Sequence, residues 1–370
     1  MHLSIVIHSM SSGGAERTVS SLANHWAEQG WEVTIITIAS QNADFYELHS
    51  AVDRVALGLA GDSPHLGTAL VSNFRRVLAL RRVLRRLKPD IVVGMMATAN
   101  IYAALATLGS GCQAVGSERI HPPQLPLGRV WEWLRRHAYR QLNAVVALTE
   151  ESACWIRNNT RARHVRVIPN AVAWPLPSQK PRVMPDQLYK SGHHTVLAVG
   201  RLVPQKGFGY LIDAFASLAE QRLSWDLVIL GEGPERSKLE KTVQDLDLGK
   251  RVFLPGRVGN LSEWYERADL YVMSSLFEGF PNTLVEAMAH GMPAVSFDCD
   301  TGPREIVRHG VDGLLVPPGE VNTLGVAMAR LMDDELLRHS FAKRAIDARE
   351  RFSMEGTTGM WERLFQEILS

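Results

Sequence analysis

The sequence predicts an α/β protein of two doubly wound domains, each a parallel sheet with helices on its faces. Three observations point there. Short apolar runs alternate with helical segments along the chain, the pattern of repeated strand–helix–strand units. At 370 residues the chain is long enough for two cores. Between the two series of strands, PNAVAWPLPSQKPRVMPDQ carries five prolines from Pro169 to Pro185, which is linker composition.

In the first half, the apolar runs place strands at Leu3–His8, Val33–Ile38, Ile91–Met95, Ala114–Ser117 and Ala144–Leu148. The second series runs through Thr195–Val199, Leu227–Leu230, Val252–Leu254, Leu270–Met273, Ala294–Ser296 and Gly313–Val316. The expected domains are residues 1–175 and 190–350, joined near residues 170–192. A C-terminal helix at about 353–370 is expected to pack back on the first. In doubly wound sheets, ligands sit outside the carboxyl ends of the strands, so a cleft between the two sets of strand ends is expected. No internal repeat or low-complexity tract appears.

Composition narrows the class. The chain is 46% hydrophobic and 21% charged, as in a soluble globular protein, with no apolar run long enough to span a bilayer. The opening MHLSIVIHSMSSGGAE lacks the basic start and the long apolar stretch of a signal peptide. Cys112, Cys154 and Cys299 form neither a disulfide framework nor a zinc pattern, and read as buried, reduced thiols of a cytosolic protein. The net charge of +1 hides an asymmetry: residues 1–180 hold 19 Lys and Arg against 12 Asp and Glu, and the remainder holds 21 against 27. A basic first half suits an anionic partner or surface. The excess is modest and no base-stacking motif accompanies it, which argues against nucleic acid.

Four loops at predicted strand ends carry chemistry. HSMSSGGAERT puts Gly13 and Gly14 before a helix, where paired glycines let a backbone approach a phosphate or sugar, although a tight turn needs them too. VGRLVPQKGFGYLIDAF brings Arg201 and Lys206 to a loop that can clamp a diphosphate. VILGEGPERSKLE mimics a dinucleotide fingerprint, but Arg236 stands where the third glycine belongs, which weakens a dehydrogenase reading. LFEGFPNTLVEAMAHGMPAV sets Glu278 before a Gly-Phe-Pro turn and Glu286 about one turn into the following helix, capped by Asn282 or Thr283. A helix start suits phosphate, and carboxylates beside it suit sugar and ribose hydroxyls. A surface loop and an ordinary helix would also explain these residues.

Together SGGAER, VGRLVPQKG, GEGPER, PGRV, FEGFPNTLVEAMAHGMPAV and GVDGLLVPPG resemble, in order and spacing, the retaining glycosyltransferases of family 4. The resemblance covers nearly the whole chain and is strongest from Val199 to Gly319. It implies the GT-B arrangement of two facing Rossmann-like domains with an interdomain cleft. It also implies that Glu278 meets donor-sugar hydroxyls and Glu286 grips the ribose, with backbone N–H groups near Phe280, Asn282, Thr283 and Leu284 on sugar and phosphates. Arg201 and Lys206 would neutralise the departing diphosphate, Gly14 would close the site from the first domain, and PGRV with Val258 would lie beside the nucleobase. The family works without a metal, and no Asp-x-Asp here would hold one on a diphosphate; DCD at Asp298 to Asp300 reads as a polar loop. Retention by same-face attack needs no enzyme nucleophile. Many members carry a His near the transferring sugar; here VGSERIHPPQ leaves the choice between His121 and the Glu118–Arg119 pair open.

In NFRRVLALRRVLRRLKPD, Val77, Leu80, Val83, Leu84 and Leu87 share one side of a helix. Arg75, Arg81, Arg82, Arg85, Arg86 and Lys88 gather on the other, and Phe74, Arg76 and Leu78 break the pattern. A solvated crossover helix would account for this, but cations without interleaved carboxylates suit anionic headgroups or a lipid diphosphate. The chain also resembles bacterial family 4 enzymes that extend polyprenyl-diphosphate-linked glycans. That implies a UDP-linked hexose or N-acetylhexosamine donor and a lipid-linked acceptor, with the enzyme cytoplasmic and peripheral on the inner membrane face. A GT-B epimerase, a transferase with a soluble or lipopolysaccharide acceptor, and a non-catalytic membrane scaffold are the alternatives. Against the scaffold stand the paired glutamates and the Arg/Lys loop.

Overall fold

The computed structural model describes all residues except Ser12 and 62–65, and the side chains of all the rest except residues 43 and 66–69. The chain divides into two compact units, Met1–Asn170 with Thr357–Ser370, and Ala171–Gly356. Both are parallel sheets interleaved with helices, as the alternation of apolar runs predicts.

The first unit holds strands β1 (His2–Ile7), β2 (Glu32–Thr37), β3 (Val52–Ala56), β4 (Ile91–Met95), β5 (Gln113–Ser117), β6 (Ala144–Ala147) and β7 (Val165–Val167). Its helices are α1 (Gly14–Glu28), α2 (Leu66–Leu87), α3 (Ala97–Ala106), α4 (Arg129–Ala138) and α5 (Glu150–Asn159). The strand order is β3-β2-β1-β4-β5-β6-β7, all parallel, with Ile5 of β1 opposite Ile35 on one side and Val93 on the other. Parallel strands need long crossover connections, most of them helices here, and these bury both faces. Leu80 and Leu84 of α2 pack with Tyr102 of α3 on Val6, Ile36 and Val92. Tyr139 and Ile156 pack on Val145 and Ala147.

The second unit holds β8 (His194–Val199), β9 (Trp225–Leu230), β10 (Val252–Gly256), β11 (Leu270–Met273), β12 (Ala294–Phe297) and β13 (Gly313–Val316). Its helices are α6 (Phe208–Ala219), α7 (Arg236–Asp245), α8 (Leu261–Arg267), α9 (Asn282–Ala289), α10 (Pro303–Ile306), α11 (Val321–Asp333), α12 (Glu335–Ala345) and α13 (Ala348–Arg351). The order is β10-β9-β8-β11-β12-β13, again parallel throughout. Phe215, Leu227, Val272, Phe297 and Met328 lie in one core. The order reverses between β1 and β4 in one sheet and between β8 and β11 in the other. At such points the loops diverge and leave room for a ligand.

The last helix, α14 (Met354–Leu369), contributes from Thr357 onward to the first unit. Trp361 and Phe365 pack against Trp26, which stacks on Trp31 at a ring separation of 5.5 Å.

Three details differ from the sequence reading. β3 and β7 were not expected: both are edge strands, half-buried, and the charges of Asp53, Arg54 and Arg166 interrupt their apolar pattern. The residue preceding α9 as its cap is Pro281, not Asn282 or Thr283. Cys154 is exposed and Cys112 half-buried, leaving Cys299 as the buried thiol.

Removing the Trp361 ring empties the centre of the aromatic cluster. Trp361→Ala should destabilise the first unit by about 3–5 kcal/mol, the usual cost of deleting a buried large aromatic. Urea unfolding followed by near-ultraviolet circular dichroism measures it. An unchanged midpoint would show the cluster to be dispensable.

Candidate functional site

In the second unit, two loops meet beside the switch point. After β8 the chain runs through Arg201 to Lys206, and after β11 through Ser274 to Pro281. Four hydrogen bonds stitch them together. The Leu276 N–H donates to the Gln205 carbonyl at 2.9 Å, and Gln205 Nε2 to the Phe277 carbonyl at 2.7 Å. Ser274 Oγ donates to the Lys206 carbonyl at 2.9 Å, and Lys206 Nζ lies 2.5 Å from Glu278 Oε1. Gly207 makes this approach possible. Its φ is +61°, and a Cβ there would stand 2.2 Å from the Ser274 carbonyl oxygen. Glu278 is buried, and its charge is met by the ammonium; its own carbonyl accepts from Thr301 Oγ1. The neighbouring Cys299 thiol is pushed up to about 12, first by burial and then by the Glu278 charge, which disfavours the thiolate. Arg201 is exposed, with no ion pair among the described residues.

Glu278 leads directly into α9. Pro281 supplies no side-chain cap to this helix start, where the macrodipole places a partial positive charge. The Leu284 N–H is turned back to the Pro281 carbonyl at 3.1 Å. Thr283 Oγ1 accepts from Tyr271 Oη at 2.8 Å, which fixes the first turn against the sheet. Glu286, also buried, accepts from Tyr265 Oη at 3.2 Å. Phe280 packs edge-on against Phe352 at 5.5 Å. At the neighbouring strand ends, the Gly231 N–H donates to the Gly256 carbonyl at 2.9 Å, and Arg236 binds Glu232 and the Leu254 carbonyl. The arginine that breaks the glycine fingerprint therefore ties the loop after β9 to β10. Val258 is buried just beyond.

In the first unit, Gly13 precedes α1 without a side-chain cap, and its carbonyl accepts from Tyr46 Oη at 3.0 Å. The Glu16 carboxylate folds over it so closely that a Cβ at Gly13 would clash, while the space around Gly14 is open. At the end of β5, Glu118 is buried, accepts from Tyr139 Oη and lies 3.8 Å from Arg135. Burial raises its carboxyl above the usual range against the opposing pull of Tyr139 and Arg135. Arg119 is buried too and bonds Ser117 Oγ and Asn170 Oδ1, with no carboxylate against it among the described residues. Burial pulls it down to about 9. His121 Nδ1 lies 3.0 Å from Ser152 Oγ. Along α2, Arg75, Arg82, Arg85 and Arg86 are exposed and Arg81 half-buried. Arg76 turns inward to the Leu59 and Gly61 carbonyls at 2.9 and 2.8 Å, which explains its break from the pattern.

The structure thus brings Lys206, Glu278, Thr283 and Glu286 to one end of the second sheet, Gly14 to the start of α1 after β1, and Glu118 and His121 to the segment after β5. Sequence reasoning did not find Gln205, Ser274, Tyr265 and Tyr271, which hold these groups in place. Aromatic residues in or beside apolar runs read as core, so no signal marked the two tyrosines.

Residues 12–173 match the model of Glycosyltransferase Family 4, and residues 179–348 that of Glycosyl transferases group 1. An exopolysaccharide phosphotransferase of Streptomyces coelicolor is 34% identical over 79% of this chain, but the chain spans only 30% of that relative's length. An α-1,4-N-acetyl-D-galactosaminyltransferase of Campylobacter jejuni is 26% identical over 100% of this chain and 99% of its own. The crystal structure of Anabaena HepE in complex with UDP superposes with a TM-score of 0.80 at 21% identity, covering 99% of this chain and 100% of that one. Two parallel-sheet halves, each matching its own model, place this chain in the glycosyltransferases of the GT-B fold, a family 4 domain followed by a group 1 domain.

Proposed function

We propose that the chain transfers a hexose or N-acetylhexosamine, with retention at the anomeric carbon, from a UDP-linked donor to a glycan carried on polyprenyl diphosphate at the inner membrane face. The observation that carries the donor half is the placement of Lys206 on Glu278, which leads into the uncapped start of α9, with Glu286 further along the same helix. Two relatives support the rest: the Campylobacter jejuni enzyme acts on an undecaprenyl-diphosphate-linked glycan, and Anabaena HepE was crystallised with UDP.

The chemistry follows from charge. As the anomeric C–O bond breaks, positive charge grows on the sugar and negative charge on the departing diphosphate. Lys206, exposed Arg201 and the N–H groups at the start of α9 are preplaced for the negative charge. Lys206 and Glu278 exchange their mutual bond for the diphosphate and the sugar hydroxyls respectively. Glu286, steadied by Tyr265, takes the ribose hydroxyls. The acceptor hydroxyl attacks from the face the diphosphate leaves, and a donor phosphate oxygen receives its proton. Glu278 carries no nucleophilic role, and the reaction proceeds without a divalent metal. The arginines of α2 take the acceptor's diphosphate.

Ribose contacts are similar in ground and transition states, whereas sugar positioning matters most as the bond breaks. Calorimetry with UDP alone should therefore show weakened binding for Glu286→Ala and little change for Glu278→Ala, which slows transfer instead. The reverse pattern would exchange the two roles. Arg201→Ala or Lys206→Ala should lower the transfer rate by roughly 10²–10³, the cost of losing one preplaced donor. EDTA should leave the wild-type rate unchanged; strong inhibition would overturn the metal-free clamp. Product analysis with and without the lipid acceptor tests transfer itself, since an epimerase would convert its donor with no acceptor present.

A further inference from the structure

Two helices of the first unit that both pack on α3 expose large apolar side chains. On α2, Leu70 is 68% exposed, Val71 52% and Phe74 63%; on α4, Val130 is 61% and Trp133 60%. Single exposed apolar residues are ordinary, but clusters rimmed by polar ones mark interaction surfaces. The two groups are linked through α3. Tyr102 Oη donates to Asn73 Oδ1 at 2.7 Å, and the Tyr102 ring meets that of Trp131 edge-on at 5.9 Å. Asn73 adjoins Phe74, and Trp131 adjoins Val130. Val130 and Trp133 stand three apart on the opposite side of α4 from buried Arg135 and Ala138.

Charge surrounds these residues. The outward side of α2 continues from Phe74 as Arg75, Arg82, Arg85 and Arg86, all exposed, and the helix contains no Asp or Glu. Phe74, which breaks the sequence pattern, stands exposed beside this row. On α4, Arg129 and Arg136 flank Trp133, and exposed Arg140 follows. The carboxylate of this helix, Glu132, is bound to Arg135 at 2.5 Å. A soluble polyanion would engage the arginines and leave the rings in water. An anionic bilayer satisfies both, because arginines reach its phosphates while Phe, Leu and Trp enter the headgroup–acyl boundary.

We propose that α2 and α4 form a membrane-docking face, in which Leu70, Val71, Phe74, Val130 and Trp133 enter the interfacial layer of an anionic bilayer and the arginines of both helices hold its headgroups. The proposal extends the lipid-linked acceptor reading, but docking itself requires no acceptor.

The test uses the full chain and vesicles of phosphatidylglycerol with phosphatidylcholine, free of any glycan lipid. The wild type should sediment with these vesicles, bind pure phosphatidylcholine weakly, and release as salt is raised. Phe74→Ser with Trp133→Ser should lower partitioning by about tenfold or more, while the thermal midpoint and acceptor-free donor hydrolysis stay at the wild-type level. Arg82→Gln with Arg136→Gln should flatten the salt dependence. Wild-type partitioning by the Phe74/Trp133 variant, or equal binding to neutral and anionic vesicles, would overturn the proposal. So would indifference to vesicles together with Trp133-dependent self-association, which would make the face a contact between copies. Docking as described without transfer to a lipid-linked acceptor would sink the acceptor reading and leave the docking face standing.

Discussion

Both sheets are parallel throughout, and most of the structure follows from that constraint. A parallel strand releases the chain only at its carboxyl end, and the return must pass over a sheet face. The loops at one rim are therefore free to differ, while the faces are committed to packing. Gly14, Glu118, Arg201 and Glu278 all follow strands on this rim of their sheets. Covering both faces also forces buried polar groups to find partners inside. Asn100 shows how: its Oδ1 accepts from the Ser117 N–H at 3.0 Å and its Nδ2 donates to Tyr139 Oη at 3.0 Å. Gly94 and Gly116 make room for it, since a Cβ at Gly94 would stand 2.8 Å from its Cα.

Charge at the second rim is arranged by backbone rather than by side chains alone. Lys206 and Glu278 are 72 positions apart, yet Gln205, Ser274 and Gly207 fix the loops so that ammonium and carboxylate meet. A pair held this way keeps its geometry when either group takes a new partner, because neither loop depends on the ion pair for its shape. Glu286 differs in being fixed by a helix and a tyrosine.

What could be read from the chain beforehand depended on burial. Central strands such as Ile91–Met95 and Leu270–Met273 announce themselves because both faces are covered and every position is apolar. Edge strands such as VDRVA tolerate charge, so Val52–Ala56 carried no such mark. The spacing of Glu278 and Glu286 and the basic side of α2 were equally legible, since charge at a fixed period is visible in sequence. The groups that hold them were not: Tyr265 and Gln205 act through contacts with residues 21 and 72 positions away. Periodicity divided α2 into two sides, but only packing shows that Arg76 turns inward while Phe74 does not.

The first unit is discontinuous, and this bears on how the chain is made. Its β-strands and α1 to α5 are complete at Asn170, but Trp361 and Phe365 arrive only after the whole of Ala171–Gly356 has been synthesised. During that interval on the ribosome Trp26 and Trp31 lack their covering rings. A nascent first unit thus presents an open aromatic face to chaperones and to other chains, and it closes only when the second unit has had time to fold. The unit begun first is therefore the last to be completed.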